Sequence, residues 1–202
     1  FFSDNLIVQN NYQYDVLLKN RFLKKNKIKK INSGYLIPDK KQLNKNKEFI
    51  LWVSRLEPWK QPEVFIDLAL AFPGKKFVMI APQIPGFEKY AIEINNKVNG
   101  IPNLTLIPFV SYHKINNYFL NSAVFINTSE IEGFPNTFIQ AAMNKTPIIS
   151  LNVNPDNIIT EYSIGFCCNN DFGFMKMQLR ALIEDEKKWK ELSQNAYIYA
   201  LN

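Results

Sequence analysis

The sequence predicts a doubly wound, parallel α/β domain. Two observations carry this. From residue 48 onward, short apolar runs alternate with segments of helical spacing. The first run, EFILWVS at 48–54, is apolar almost throughout, as a parallel strand buried on both faces must be.

The elements follow in order. EFILWVS is the first strand, and QPEVFIDLALAF at 61–72 is a helix with Val64, Leu68 and Phe72 on one face. KKFVMIA at 75–81 and NLTLIPF at 103–109 are the second and third strands, with the helix GFEKYAIEINNKV between them. The helix YHKINNYFLNS then leads into the fourth strand, AVFINTS, at 123–129. The next helix puts Phe138, Ile139, Ala142 and Met143 toward the core and Asn136 and Gln140 on the opposite face. Asn144 ends it, since Asn tolerates the left-handed conformation. PIISL and IGFCC supply strands five and six, and residues 171–202 are helical with a break near Asp185.

Six such strands take the order 3-2-1-4-5-6, the Rossmann-like arrangement with helices on both faces. Ahead of them stand a strand in NLIVQ, a helix over 11–25 and a strand in IKKIN. Residues 33–47, with Gly34, Pro38 and clustered Lys and Asn, have the composition of a linker. The chain accordingly divides into 1–40, a small unit plus linker, and 41–202, the main domain. No internal repeat is present.

Composition narrows the function. With 202 residues, 47% of them hydrophobic, the chain builds one sizeable core and is not disordered in character. The net charge of +6 admits nucleic acid, an anionic membrane surface or a phosphate-bearing ligand. Only Arg21, Arg55 and Arg180 are arginines, too few for a protein that reads bases, so no nucleic-acid partner is expected. The lysines concentrate in 19–30 and 38–47, as solvated faces and linker or as a peripheral contact with a membrane. No window approaches 18 consecutive apolar residues, and no signal peptide is read. The opening on Phe1 leads us to expect a piece of a longer protein. The adjacent Cys167 and Cys168 do not suit a mutual disulfide, so a reduced, cytoplasmic setting is expected. With His113 the single histidine, the chain holds no His dyad and no multi-His metal site.

In a sheet of this order the ligand lies where strands 1 and 4 end. SRLEPWKQPE follows strand 1 and brings Arg55 and Lys60; SEIEGFPNTFIQ follows strand 4 and brings Glu130 and Glu132. Two cations at one crevice suit a diphosphate, Arg as a planar fork and Lys as a point charge. Gly133 permits close approach of the backbone, and Pro135 suits the first turn of a helix. The N–H groups of Asn136 and Thr137 then face the ligand at the positive end of the helix dipole. Gln140, one turn further, suits a diol such as ribose. Plainer readings exist: Arg55 and Lys60 as surface charges, Glu132 as a charge stabilised by the helix N-terminus, Gln140 as a solvated residue and Glu130 as solvent-facing. What favours a site is that separated charges converge where the fold rule places the ligand.

SRLEPWKQP and EGFPNTFIQAAMNKTPIIS together resemble the signatures of retaining glycosyltransferases of family 4, over residues 48 to the end. NLIVQNNYQYDVLLK is similar to that family's last strand and helix before its linker. The resemblance implies the C-terminal, donor-binding half of a GT-B enzyme, preceded by a remnant of the acceptor domain. It implies that Arg55 and Lys60 hold the donor diphosphate and that Glu132 contacts the sugar hydroxyls, these three being the catalytic candidates. Gly133, Phe134, Pro135, Asn136, Thr137 and Gln140 complete the donor-binding set, and Phe109 and Val110 line the base. Gln140 departs from the family, which has a ribose-binding Glu there; Ser54, Pro108 and the pair Asn144 and Lys145 stand where glycine is usual.

The implied chemistry is transfer from a UDP- or GDP-linked sugar with retention, to a saccharide or lipid-linked acceptor held by the missing domain. Cations and helix N–H groups stabilise the charge that grows on the departing diphosphate. No metal or other cofactor is expected, since Arg and Lys supply the charge and no Asp-x-Asp cluster follows a strand. This part alone is expected to bind donor weakly without turnover. Two rival readings remain open: a nucleotide-sugar epimerase or hydrolase of the same fold, and a non-catalytic nucleotide- or polyanion-binding module.

Overall fold

The structure, a computed structural model, describes residues 5–19, 23–31 and 47–201. The division at 40/41 and the linker, apart from Lys47, lie outside the described residues, as does Arg21.

The first unit is a small βαβ: β1 (Leu6–Val8) and β2 (Ile28–Lys30) pair in parallel, joined through α1 (Asn11–Leu18). The helix expected over 11–25 stops at Leu18, and Lys25–Lys27 form a separate 3-10 turn. The Lys- and Asn-rich sequence beyond Leu18 offers no apolar stripe to hold a longer helix.

The main sheet has six parallel strands in the order β5-β4-β3-β6-β7-β8. They are β3 (Phe49–Val53), β4 (Phe77–Ile80), β5 (Leu104–Ile107), β6 (Ser122–Asn127), β7 (Ile148–Ser150) and β8 (Gly165–Cys167). This is the expected order. β3 pairs with β4 on one side, Val53 opposite Ile80, and with β6 on the other, Leu51 opposite Phe125. The order therefore reverses between β3 and β6. Their carboxyl ends, Val53 and Asn127, mark that switch point.

Alternate residues of each strand feed opposite faces of the sheet. Trp52, Phe77, Met79 and Ile126 pack on one side with α2 (Pro62–Ala71), α3 (Glu88–Val98) and α7 (Phe172–Glu184). Leu51, Ile80, Phe125 and Ile148 pack on the other with α4 (Tyr112–Asn121), α5 (Asn136–Met143), α6 (Ile158–Glu161) and α8 (Glu186–Leu201). The expected break falls at Asp185, whose backbone is extended and whose Oδ1 accepts the Lys188 N–H at 2.9 Å, capping α8.

Several details differ from the sequence reading. α2 buries Phe65, Ile66, Leu68 and Ala69, with Val64 and Phe72 only partly covered, because both α3 and α7 press on it. β5 ends at Ile107, since Pro108 has no N–H to continue the ladder. α5 buries Ala141 in place of Ile139, which is half-buried. Asn144 is not left-handed; Lys145 takes that conformation at φ 56°. The N–H groups of Lys145 and Thr146 close back on the carbonyls of Ala142 and Ala141 at 3.0 and 2.9 Å, the Schellman pattern, with lysine where glycine is usual.

Candidate active site between β3 and β6

After β3 the chain runs through Arg55, the buried Leu56 and Glu57, and a 3-10 turn, Pro58–Lys60. Gln61 then turns left-handed, φ 47°, to start α2. After β6 the loop 128–135 leads to α5. Hydrogen bonds stitch the two loops together. Trp52 Nε1 donates to Thr128 Oγ1 at 2.8 Å, and that hydroxyl donates to the Lys60 carbonyl at 2.6 Å. Glu130 N–H donates to the Trp59 carbonyl at 2.9 Å, and Gln61 Nε2 to Glu130 Oε1, also at 2.9 Å.

This stitching fixes Lys60, 7% exposed, against the second loop. Its Nζ lies 2.6 Å from Glu132 Oε1, and Ser129 Oγ donates to the same oxygen at 2.9 Å. Ser129 is itself held by Asn127 Nδ2 at 3.4 Å, and Asn127 Oδ1 accepts from Ser150 Oγ at 3.3 Å. A line of polar side chains thus runs from β7 through the end of β6 to Glu132. A short, nearly buried ion pair of this kind keeps its strength where surface pairs lose theirs.

The four charges expected to meet at one crevice do not all meet. Lys60 and Glu132 do. The Arg55 side chain is 61% exposed and pairs with Glu57 Oε2 at 3.2 Å, inside its own loop. Glu130 is exposed and held by Gln61. The Glu57 side chain is only 5% exposed, and Oε2 has no hydrogen bond beside the Arg55 ion pair. Arg55 is thereby drawn toward Glu57.

Pro135 precedes α5 as its capping residue, not within the first turn as expected, because its ψ of 116° is extended. Its carbonyl accepts the Phe138 N–H at 3.0 Å. The N–H groups of Asn136 and Thr137 therefore stand at the open end of the helix. Asn136 is exposed; Thr137, Gly133, Phe134 and Gln140 are half-buried, and Phe134 packs on the core beneath. The backbone carbonyl of Gln140 accepts Asn144 Nδ2 at 2.8 Å; among the described residues nothing holds its side-chain amide. Phe109 stands 71% exposed beyond the end of β5, beside the half-buried Val110. Among the described residues, no three His, Cys, Asp or Glu side chains group as a metal set, and no helix is long and apolar enough to cross a membrane.

The sequence reading missed Glu57, Thr128, Ser129 and Asn10. An acid two residues after Arg55 and a serine three before Glu132 were visible local signals. Thr128 needed the β3–β6 pairing. Asn10, whose Nδ2 donates to the Gly133 carbonyl at 2.6 Å, acts across 123 residues and leaves no local trace of that contact.

Solved structures share this architecture. Anabaena HepE, solved with UDP and glucose, superposes with a TM-score of 0.83 at 17% identity, over 98% of this chain and 58% of that one. The pneumococcal O-GlcNAc transferase GtfA, solved with UDP and GlcNAc, gives 0.72 at 17% identity over 98% and 42%. The C-terminal domain of LpcC, a group 1 family glycosyl transferase from Francisella tularensis, gives 0.66 at 20% identity over 82% and 92%. The chain thus spans just over half the length of HepE, and its fold is the Rossmann-like domain of GT-B glycosyltransferases. A search of curated proteins finds no match. The family of glycosyl transferases group 1 matches residues 36–199, most of the chain, and the protein belongs to that family.

Proposed function

We propose that this chain is the donor-binding part of an enzyme that transfers a hexose from a nucleoside diphosphate to an acceptor with retention at the anomeric carbon. The observation that carries it is the Lys60–Glu132 pair, fixed between the two loops where the sheet order reverses. Lys60 and Arg55 face the diphosphate together with the N–H groups of Asn136 and Thr137. They stabilise the charge that develops on it as the glycosidic bond breaks. These are fixed cations and dipoles, so the reaction is expected to need no metal. Glu132 orients the sugar hydroxyls, and Gln140 meets the ribose. Phe109 and Val110 flank the base. That solved relatives of this fold hold UDP together with glucose or GlcNAc supports the donor class.

The β1–α1–β2 unit is read as the last part of an acceptor domain, which brings a saccharide or lipid-linked acceptor. The enzyme is placed in the cytoplasm, with its basic segments able to touch an anionic membrane surface. This part alone binds donor weakly and does not turn over.

Calorimetric titration with UDP, GDP and their sugars, at two salt concentrations, tests the reading. Arg55→Ala and Lys60→Ala should each abolish nucleoside diphosphate binding, and in the full-length enzyme each should cut kcat about a hundredfold. Glu132→Ala should keep nucleoside diphosphate affinity and lose the preference for the sugar-linked form. Parental binding by both cation variants would sink the site assignment. The net charge of +6 favours a polyanion-binding module as second reading; binding that tracks total ligand charge and vanishes with salt would support that instead.

A further inference from the structure

We infer that Asn10 is a positioning residue for the sugar end of the donor site, tying α1 to the loop that carries Glu132. This rests on the reading of Glu132 given above. Asn10 is 1% exposed. Its Oδ1 accepts the Gln13 N–H at 2.8 Å and so caps α1, while its Nδ2 donates to the Gly133 carbonyl at 2.6 Å. One side-chain amide therefore serves two elements at once, and both halves of it are used.

Gln13 fills the space beside this bond. Its Oε1 accepts the Gln9 N–H at 2.8 Å, and its Nε2 lies 2.6 Å from where a Cβ on Gly133 would sit. A side chain at 133 would push the amide end of Gln13 aside, so this α1 side chain lies directly over the glycine. A second attachment lies on the loop beyond β7. Asn11 N–H donates to Asp156 Oδ1 at 2.7 Å, and Lys30 Nζ to Asp156 Oδ2 at 3.1 Å. The β1–α1–β2 unit is thus pinned on the loops that follow β6 and β7, both at the carboxyl edge of the sheet.

Glu132 and Gly133 share a peptide bond. The Gly133 carbonyl is held by Asn10, while the Glu132 carboxylate is held by Lys60 and Ser129. The acid is fixed from both sides, once by its own domain and once by the unit before the linker. Loss of the Asn10 bond frees the backbone, and small displacements of a positioning group cost binding to the reacting part of a substrate more than to the rest.

Asn10→Asp in the full-length protein separates the two tasks of the residue. Aspartate caps a helix as well as asparagine does, but it has no N–H for the Gly133 carbonyl. Hydrogen exchange reads the anchor directly: the amides of Glu130 and Phe138, whose hydrogen bonds to the Trp59 and Pro135 carbonyls bracket the loop, should exchange about tenfold faster, with β6 and α1 unchanged. The use of the anchor is read in a panel of UDP- and GDP-linked hexoses and their nucleoside diphosphates. Affinity for the bare diphosphates should hold, while the advantage of the sugar-linked form falls about fivefold to tenfold. Unchanged exchange at Glu130 and Phe138 would overturn the inference, and so would faster exchange with an unchanged affinity ratio. A parent protein that binds sugar-linked and bare diphosphates equally, with Glu132→Ala silent, would overturn the reading of Glu132 first and this role with it.

Discussion

At the tip of the loop after β3, Lys60 lies nearly buried against a single carboxylate, whereas Arg55 stands in solvent beside the buried Glu57. Both cations have a carboxylate partner within the fold itself. On the proposed reading, a diphosphate shares Lys60 with Glu132 and draws Arg55 from Glu57. Gln140 is the other residue whose chemistry decides something here. It is half-buried on the exposed side of α5, its amide held by none of the described residues, and a neutral amide gives a weaker hydrogen bond to a hydroxyl than a carboxylate does. Gln140→Glu should tighten nucleoside diphosphate binding about threefold to tenfold, read by calorimetry. 2′,3′-Dideoxyribose diphosphates, which lack both hydroxyls, should show no such gain; an equal gain for both would mean that residue 140 does not face the ribose.

Among the elements, β8 depends on one atom that is not there. A Cβ on Gly165 would lie 1.7 Å from the Ile148 carbonyl oxygen, inside any possible contact. Gly165→Ala must push β8 away from β7 and break their pairing, Ile148 opposite Gly165 among it. The expected cost is about 3 kcal/mol or more, measured by chemical denaturation. The end of α5 shows the opposite tolerance. Lys145 accepts the left-handed conformation at a cost of about 1 kcal/mol. Its carbonyl accepts Ser193 Oγ at 2.7 Å and its ammonium lies 5.0 Å from the centre of the Tyr197 ring, which offsets that cost and ties α5 to α8.

For the whole molecule, alkaline pH is the condition that tests the core. Burial, with Cys167 and Asp171 nearby, pushes the Cys168 thiol from 9.0 to about 12. Burial, with Tyr162 and Asp156 adding, pushes the Tyr199 hydroxyl from 10.0 to about 12. The folded state keeps protons that the unfolded chain gives up, so their contribution is complete below pH 9 and is lost from pH 9 toward 12. Lys47 acts in reverse. Burial, then repulsion from Lys145, lowers its ammonium from 10.5 to about 8, so the folded state releases that proton first and gains stability between pH 8 and 10.5. Stability should therefore rise between about pH 8 and 9, stay level to about pH 10 and fall above that, steeply past 10.5. Cys168→Ala should remove the opposing contribution of the thiol, so that stability keeps rising from pH 9 toward 10 and falls less above it, as urea titrations at pH 8, 9.5 and 11 would show. An unaltered profile in that variant would exclude the thiol as a contributor.

The strand order, with its reversal between β3 and β6, the two-sided burial and the break at Asp185 were legible in the sequence. They follow from hydrophobic period and from chain connectivity, which are local properties plus one handedness rule. That charged residues of both signs sit on the two loops was legible too, since it needs only the strand assignments and the order of the chain. Which groups touch was not. Arg55 turning to Glu57, Lys60 to Glu132, and Asn10 reaching Gly133 across 123 residues depend on how loops from different strands meet. Side-chain pairing at such distances is set by packing, and packing exists only once the sheet has brought the strand ends together.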